Sequence, residues 1–336
     1  MQAVRLLGPN SLGLQDVATP EPGPGDILIK VEACGICGSD RHMYAGEYPT
    51  NPSVTLGHEF AGTVIATGSG VERIRIGQRV TGDPNIACGT CSQCRAGRVN
   101  LCVHLSAIGV QRDGGFAEFL VMPEQQAHVL PDNMDPVHGA FCEPLACCLH
   151  GLDVARIRPG DNVAIFGGGV IGLLMVQLAR LAGATNVILS TRQQPRRDLA
   201  LQLGATHAID PEASDAVSQI KAIIPGGVDV ALECAGVPQT FTQSIAAVRR
   251  GGAVVVFGVM PQGQEVSVMP FDLLVNEVRL EGAYLNPLTH ARAATMVASK
   301  TLQLDPLVSR IVPLSDVPAI IANAPARGEI KIVARP

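Results

Sequence analysis

Cys37, Ser39, Asp40 and His42 lie within six residues of one another, in the run Cys34-Gly35-Ile36-Cys37-Gly38-Ser39-Asp40-Arg41-His42. Gly57-His58-Glu59 adds a second imidazole and a second carboxylate about twenty residues on. Zinc accepts cysteine sulfur, histidine nitrogen and carboxylate oxygen, and a catalytic zinc keeps one position open for water or substrate. Cys37, His58 and Glu59 are read as such a ligand set. A second metal set follows at Cys88, Cys91, Cys94 and Cys102, spaced C-x2-C-x2-C-x7-C. Four thiolates close a tetrahedral zinc and leave no place for substrate, so this set predicts a structural ion. Cysteines so close cannot all pair as disulfides without strain. An iron–sulfur cluster is the rival reading of the four thiolates, and a nucleic-acid-binding finger a further one.

A third constellation points to a dinucleotide. The apolar run Asn162–Phe166 ends in Gly167-Gly168-Gly169-Val170-Ile171-Gly172, which fits G-x-G-x-x-G and opens onto an apolar helical pattern. In that context Gly167 allows a tight turn, Gly169 lets the backbone approach a pyrophosphate, and Gly172 lets helix pack on strand. The amides of Val170 and Ile171, at the start of the helix, face the anion with the positive end of the helix dipole. At the tip of the next strand an acidic residue would hold a ribose 2′-hydroxyl, whereas arginine would take a 2′-phosphate. Ser190-Thr191-Arg192 stands there without a carboxylate, and Arg196 and Arg197 follow. The cofactor is therefore NADP or NAD, with NADP favoured, and Thr191, Arg192 and Arg196 are the residues that decide it.

These groups must be held by a chain of 336 residues with 47% apolar residues, enough for two domains. Short β-type runs with frequent Gly and Pro fill the first part, and they predict a compact, barrel-like β domain over 1–150. The metal stretch lies on a turn leaving the strand near Val31. Over 151–285 apolar strands alternate with helical segments near 196–203, 214–223 and 239–249, which predicts a parallel sheet covered on both faces. The remainder, 286–336, holds a helix near 290–300 and short strands near Ile311 and 330–333 that return to the first domain. The class is thus α/β.

A net charge of −5 provides no basic field for nucleic acid or an anionic membrane. No uninterrupted apolar run suits a bilayer, and no signal-peptide pattern opens the chain. Ten cysteines, six of them in two close groups, suit a reducing compartment, and the expected location is cytoplasmic.

Taken together, the motifs resemble the zinc-dependent medium-chain dehydrogenases, the alcohol and polyol dehydrogenase family. The resemblance rests on Gly35–Asp40, Gly57–Gly62, the four-cysteine lobe, Gly114-Gly115-Phe116-Ala117-Glu118, Glu143-Pro144-Leu145 and the glycine fingerprint. It implies a GroES-like catalytic domain made from both chain ends, a Rossmann domain, two zinc ions per chain, and a homodimer or homotetramer. Cys37 and His58 would be direct ligands of the catalytic zinc, with Glu59 a third or exchanging ligand. Glu143 matches a position that is Glu in the sorbitol dehydrogenase branch and would reach zinc directly or through water. Ser39 would hydrogen-bond the substrate oxygen, His42 would end a proton relay, and Asp40 would orient His58. Lys331 would touch the cofactor pyrophosphate.

The implied reaction is hydride transfer from a secondary alcohol (a polyol, sugar alcohol or cyclitol) to the nicotinamide. An L-threonine-type hydroxy amino acid dehydrogenase is the alternative within enzymes. A non-catalytic zinc and dinucleotide binding redox sensor is the alternative outside them.

Overall fold

The computed structural model describes all residues, Met1–Pro336. The chain divides into two units, Met1–Ala146 with Asn286–Pro336, and Cys147–Leu285, and the boundary falls inside the helix Cys142–Ala155. That helix is one the periodicity does not predict. Leu145, Ala146, Cys148 and Leu149 are all buried, so it lacks the polar face that makes a helix visible in sequence.

The first unit is built on the ten-residue strand Asp26–Gly35. Glu59–Thr67 runs antiparallel to it, with Gly35 opposite Glu59 and Cys34 opposite Phe60. The C-terminal strand Lys331–Arg335 lies on its other side, with Val333 opposite Gly35. The sheet continues through Arg79–Gly82 and Ala127–Val129 at one end and Val308–Pro313 at the other, while Phe119–Pro123 also pairs with Asp26–Gly35. Inside sit Ile27, Ile29, Leu56, Phe60, Val64, Val80, Phe116 and Leu120, each almost wholly buried. Burying one such side chain is worth about 1.5–3 kcal/mol, so this core fixes the register of the central strands.

The second unit is a six-stranded parallel sheet. Across it lie His207–Ile209, Asn186–Ser190, Asn162–Phe166, Val228–Glu233, Val248–Val256 and Arg279–Gly282. In order of appearance along the chain this is 3-2-1-4-5-6, the doubly wound order whose reversal point lies between strands one and four. Val163, Ala164, Ile165 and Phe166 are buried on both faces, as an all-parallel sheet requires. The helices Val170–Leu181, Gln194–Gln202, Ala216–Ile223 and Pro238–Ala247 connect the strands. The α/β class with a GroES-like β domain and a Rossmann domain is thus the observed fold. No helix is long and apolar enough to cross a membrane.

Candidate active site

Strand register assembles the first metal group. Cys37 follows the end of Asp26–Gly35, and Glu59 opens the strand paired with it, with His58 just before. The ligand atoms of Cys37, His58 and Glu59 all lie within 4.8 Å of one another. Gly35 makes room for the carboxylate, since a Cβ there would stand 2.0 Å from Glu59 Oε2. Sequence reading missed that role; the only trace of it is a glycine placed opposite an acid in the paired strands.

Ser39 and His42 sit on a short helix, Gly38–Tyr44, which begins at Cys37 rather than forming the turn expected there. The Ser39 hydroxyl is 3.3 Å from His58 Nε2. His42 is half-buried on the same helix, and its Nδ1 is 2.6 Å from Glu47 Oε2. The Asp40 carboxylate is fully buried, accepts from the Cys37 amide at 2.8 Å and approaches His58 Nδ1 at 3.5 Å. Burial opposes a charge on His58, but Asp40, Cys37 and Glu143 together hold its imidazole well above the usual range. Burial likewise raises Asp40, against the pull of His58. Glu143, buried in the first turn of its helix, lies outside the close group of three ligands yet acts on His58 by charge.

Asp40 Oδ1 and His58 Nδ1 are both buried without a hydrogen-bond partner. Buried groups that face each other at 3.5 Å without a hydrogen bond are costly unless something else engages the site. A cation on His58 Nε2 would turn the Nδ1 proton toward Asp40, the usual arrangement of a metal-bound imidazole. The donor set of one thiolate, one imidazole and one carboxylate suits zinc with an open position. The residues therefore fit the ion.

Lys331 departs from its expected place on a pyrophosphate. It is 2% exposed, and its ammonium donates to Glu59 Oε1 at 2.8 Å, Glu59 Oε2 at 2.6 Å and the Ile36 carbonyl at 3.0 Å. An ammonium has three protons, and all three are committed. The reason is topological: the C-terminal strand is paired to the strand that ends in Gly35, which puts Lys331 beside Glu59. Burial would lower Lys331, but the Glu59 carboxylate raises it and keeps the cation.

Cys88, Cys91, Cys94 and Cys102 form the second group, again with sulfurs within 4.8 Å of one another. Cys91 opens the helical turn Ser92–Arg95, and Cys102 closes the turn Val99–Leu101. Backbone amides of Cys88 and His104 point at Cys102 Sγ, at 3.3 and 3.4 Å, and that of Cys91 at Cys88 Sγ, at 3.4 Å. Amides aimed at sulfur favour thiolate, the form that binds metal. Hydrogen bonds from Thr90 and Cys91 pull Cys88 down to about 5, while burial and the neighbouring thiols push Cys94 up to about 12. Four thiols so close cannot all ionise unless a cation joins them. All ten cysteines are free, so none of these is spent in a disulfide.

In the second unit the fingerprint turn leaves the first strand at Phe166. Gly167 has φ +113°, and a Cβ there would stand 2.9 Å from the Ala235 amide nitrogen. At Gly172 a Cβ would stand 1.8 Å from the Gly167 carbonyl oxygen. Gly169 differs: it begins the helix Val170–Leu181 and a Cβ there would meet nothing within 4 Å. Open space before the amides of a twelve-residue helix is a cradle that fits a pyrophosphate. The Thr191 side chain packs against Gly168, where a Cβ would stand 2.8 Å from its hydroxyl. Arg192 is exposed and Arg196 half-buried, whereas Arg197 is tied down by the Thr191 carbonyl at 2.7 Å and Asp210 at 2.8 Å. The arginine cluster of the sequence is thus two arginines at the strand tip and one structural strut.

Known proteins match along this same layout. Residues 23–132 match the alcohol dehydrogenase GroES-like domain, and residues 170–299 match the zinc-binding dehydrogenase domain. Sorbitol dehydrogenase of Bacillus subtilis is 33% identical over 315 residues, covering 92% of this chain and 89% of its own. L-threonine 3-dehydrogenase of Idiomarina loihiensis is 33% identical, with 90% of each chain covered. Among solved structures, a zinc-binding dehydrogenase of Sinorhizobium meliloti bound to NADP superposes with a TM-score of 0.97 at 55% identity, covering 100% of this chain and 99% of that one. With both domains matched in order along a common fold, the chain belongs to the zinc-dependent medium-chain alcohol dehydrogenase family and is an oxidoreductase.

Proposed function

We propose that this enzyme oxidises a secondary alcohol group of a polyol, sugar alcohol or cyclitol with NADP as the favoured acceptor. One observation carries the proposal: the Cys37, His58 and Glu59 donors converge within 4.8 Å, with the Ser39 hydroxyl 3.3 Å from His58 Nε2. Relatives point to the substrate class, namely the sorbitol dehydrogenase above and D-arabinitol dehydrogenase 1 of Uromyces fabae, 30% identical over 341 residues. The NADP-bound Sinorhizobium meliloti structure and the Thr191-Arg192 tip without a carboxylate support the cofactor choice.

Bound zinc supplies a Lewis acid that makes an alcohol proton acidic, and the bound dinucleotide supplies the hydride acceptor. The chain's own residues do the rest. Cys37 and His58 would hold the ion, Glu59, shared with Lys331, would be a third or exchanging donor, and Glu143 would reach the ion directly or through water. Asp40 fixes the His58 ring. Ser39 takes the alcohol proton, and His42, paired to Glu47 near the surface, hands it to solvent. Gly167 to Gly172 would receive the pyrophosphate, Thr191 would serve the ribose, and Arg192 with Arg196 would pair with the 2′-phosphate.

The test is a steady-state assay of zinc-loaded protein on polyols, cyclitols and L-threonine, each with NADP+ and NAD+. Turnover of a polyol with NADP+ ahead of NAD+ is expected. Preference for L-threonine would favour the second reading, which the 33% identity to L-threonine 3-dehydrogenase supports. Preference for NAD+ would refute the reading of Thr191 and Arg192.

The enzyme works in the cytoplasm as a homodimer or homotetramer in this reading. Ten free cysteines suit a reducing compartment. Arg279–Gly282 is an edge strand of the parallel sheet, and close by in the chain Met269, Phe271 and Leu274 are 66%, 68% and 75% exposed. An open edge beside exposed apolar side chains suits pairing with a second copy.

A further inference from the structure

The second unit has a cavity at the end of its sheet opposite the fingerprint turn. Its volume is about 230 Å³, and it is lined by Arg156, Arg158, Arg249 and Arg279 with Asp161 and Asp229. Asp161 and Asp229 stand at the N-terminal ends of the first and fourth strands, whereas Gly167 follows the C-terminal end of the first. Five residues of parallel strand separate the two ends by roughly 15 Å.

The hydrogen-bonding capacity left in this cavity is one-sided. Both oxygens of Asp229 are engaged, one by Arg249 Nε at 2.6 Å and the other by the Asn162 amide and side chain at 2.7 and 3.1 Å. Asp161 accepts from the Arg158 amide at 2.8 Å. Glu281 faces Arg279 and, at 3.8 Å, Arg156. The exposed Arg158 guanidinium makes no contact within the protein, and Arg156, Arg249 and Arg279, 64%, 49% and 40% exposed, keep N–H groups open to solvent at the cavity mouth. Four guanidiniums thus share the cavity with two lining carboxylates, Asp229 with both oxygens engaged and Asp161 with one, in a chain of net charge −5. An acceptor-rich anion there would replace water on several of those N–H groups at once.

We propose that this arginine-lined cavity is a phosphate-binding site, separate from the dinucleotide cradle. Planar guanidiniums match phosphate oxygens with paired hydrogen bonds. At about 230 Å³ the cavity is smaller than the roughly 300–1,000 Å³ of drug-sized ligand sites, so it takes the ion itself or the phosphate of a small phosphomonoester.

Isothermal titration calorimetry tests this with inorganic phosphate added to the zinc-loaded protein already saturated with NADP+, so that the glycine turn is filled. One phosphate per chain is expected, weakening as salt rises. Arg158→Glu is expected to weaken it at least tenfold while leaving dehydrogenase turnover and the near-ultraviolet dichroism unchanged, because this guanidinium supports no other contact. Arg158→Lys should restore part of the binding. Glycerol 3-phosphate displacing phosphate would identify phosphomonoesters as the ligands, and its failure to do so would identify the free ion. No phosphate binding to the NADP+-saturated protein, or binding that Arg158→Glu leaves intact, would overturn the proposal.

Discussion

Replacing Lys331 with Met tests whether this lysine serves Glu59 or a bound pyrophosphate. Lys331 and Glu59 are 2% and 1% exposed, with a closest contact of 2.6 Å. At that distance and an effective dielectric near 20 the attraction is about 6 kcal/mol, largely offset by the desolvation of both ions. Removing only the cation leaves the offset without the attraction. Loss of one partner of a buried pair costs about 3–5 kcal/mol, and that is the destabilisation expected in metal-free protein on urea denaturation. The double variant Lys331→Met/Glu59→Gln should recover most of it, since no charge is then left unpaired. In Lys331→Met the freed Glu59 carboxylate becomes a better donor, so competition with a chelator should show tighter zinc binding. The dinucleotide Kd should stay within about twofold of wild type, a change under 0.5 kcal/mol. A cost below about 1 kcal/mol in the metal-free protein would refute the buried-charge argument. A large rise in dinucleotide Kd with unchanged zinc affinity would return Lys331 to the pyrophosphate.

Gly169→Val should fold normally yet weaken dinucleotide binding at least tenfold, because its side chain would project into open space in front of the helix. Gly172→Ala should instead lower thermal stability sharply, as its Cβ would stand 1.8 Å from the Gly167 carbonyl oxygen; calorimetry and fluorescence titration separate the two outcomes. Cys94→Ser should lower bound zinc from two ions per chain to one by elemental analysis and reduce thermal stability, while Cys37→Ser should abolish turnover and keep the lobe zinc. Burial raises Asp83 from 3.8 to about 6 against hydrogen bonds from Asn85 and Asn286. The folded state then holds this proton more tightly than the unfolded chain, so the stability it contributes is complete below about pH 4 and lost as pH rises through about 6. At about 1.4 kcal/mol per pH unit the change is near 3 kcal/mol. Asp83→Asn should therefore gain stability at pH 7 relative to wild type and flatten the urea-midpoint profile between pH 4 and 6.

Chemistry carried by short spacings was legible without a structure. The four-cysteine lobe, the glycine fingerprint and the absence of a carboxylate at Thr191-Arg192 each depend on neighbours a few residues apart, where local geometry leaves few options. The alternation of apolar strands and helices after Asn162 was legible for the same reason, since period and turn chemistry are local. The helix Cys142–Ala155 was not, because a helix buried nearly all round shows no period. The helix Gly38–Tyr44 was hidden by its shortness and by the metal motif that fills it. Tertiary structure alone decided what lies beside Glu59. Gly35 and Lys331 are 24 and 272 residues from it, and only the registers of three adjacent strands bring them to its carboxylate. It also separated Arg197, spent on Asp210 and the Thr191 carbonyl, from the exposed Arg192. A sequence names the charges a chain carries, but which of them cancel depends on burial and distance, and those exist only once the strands have paired.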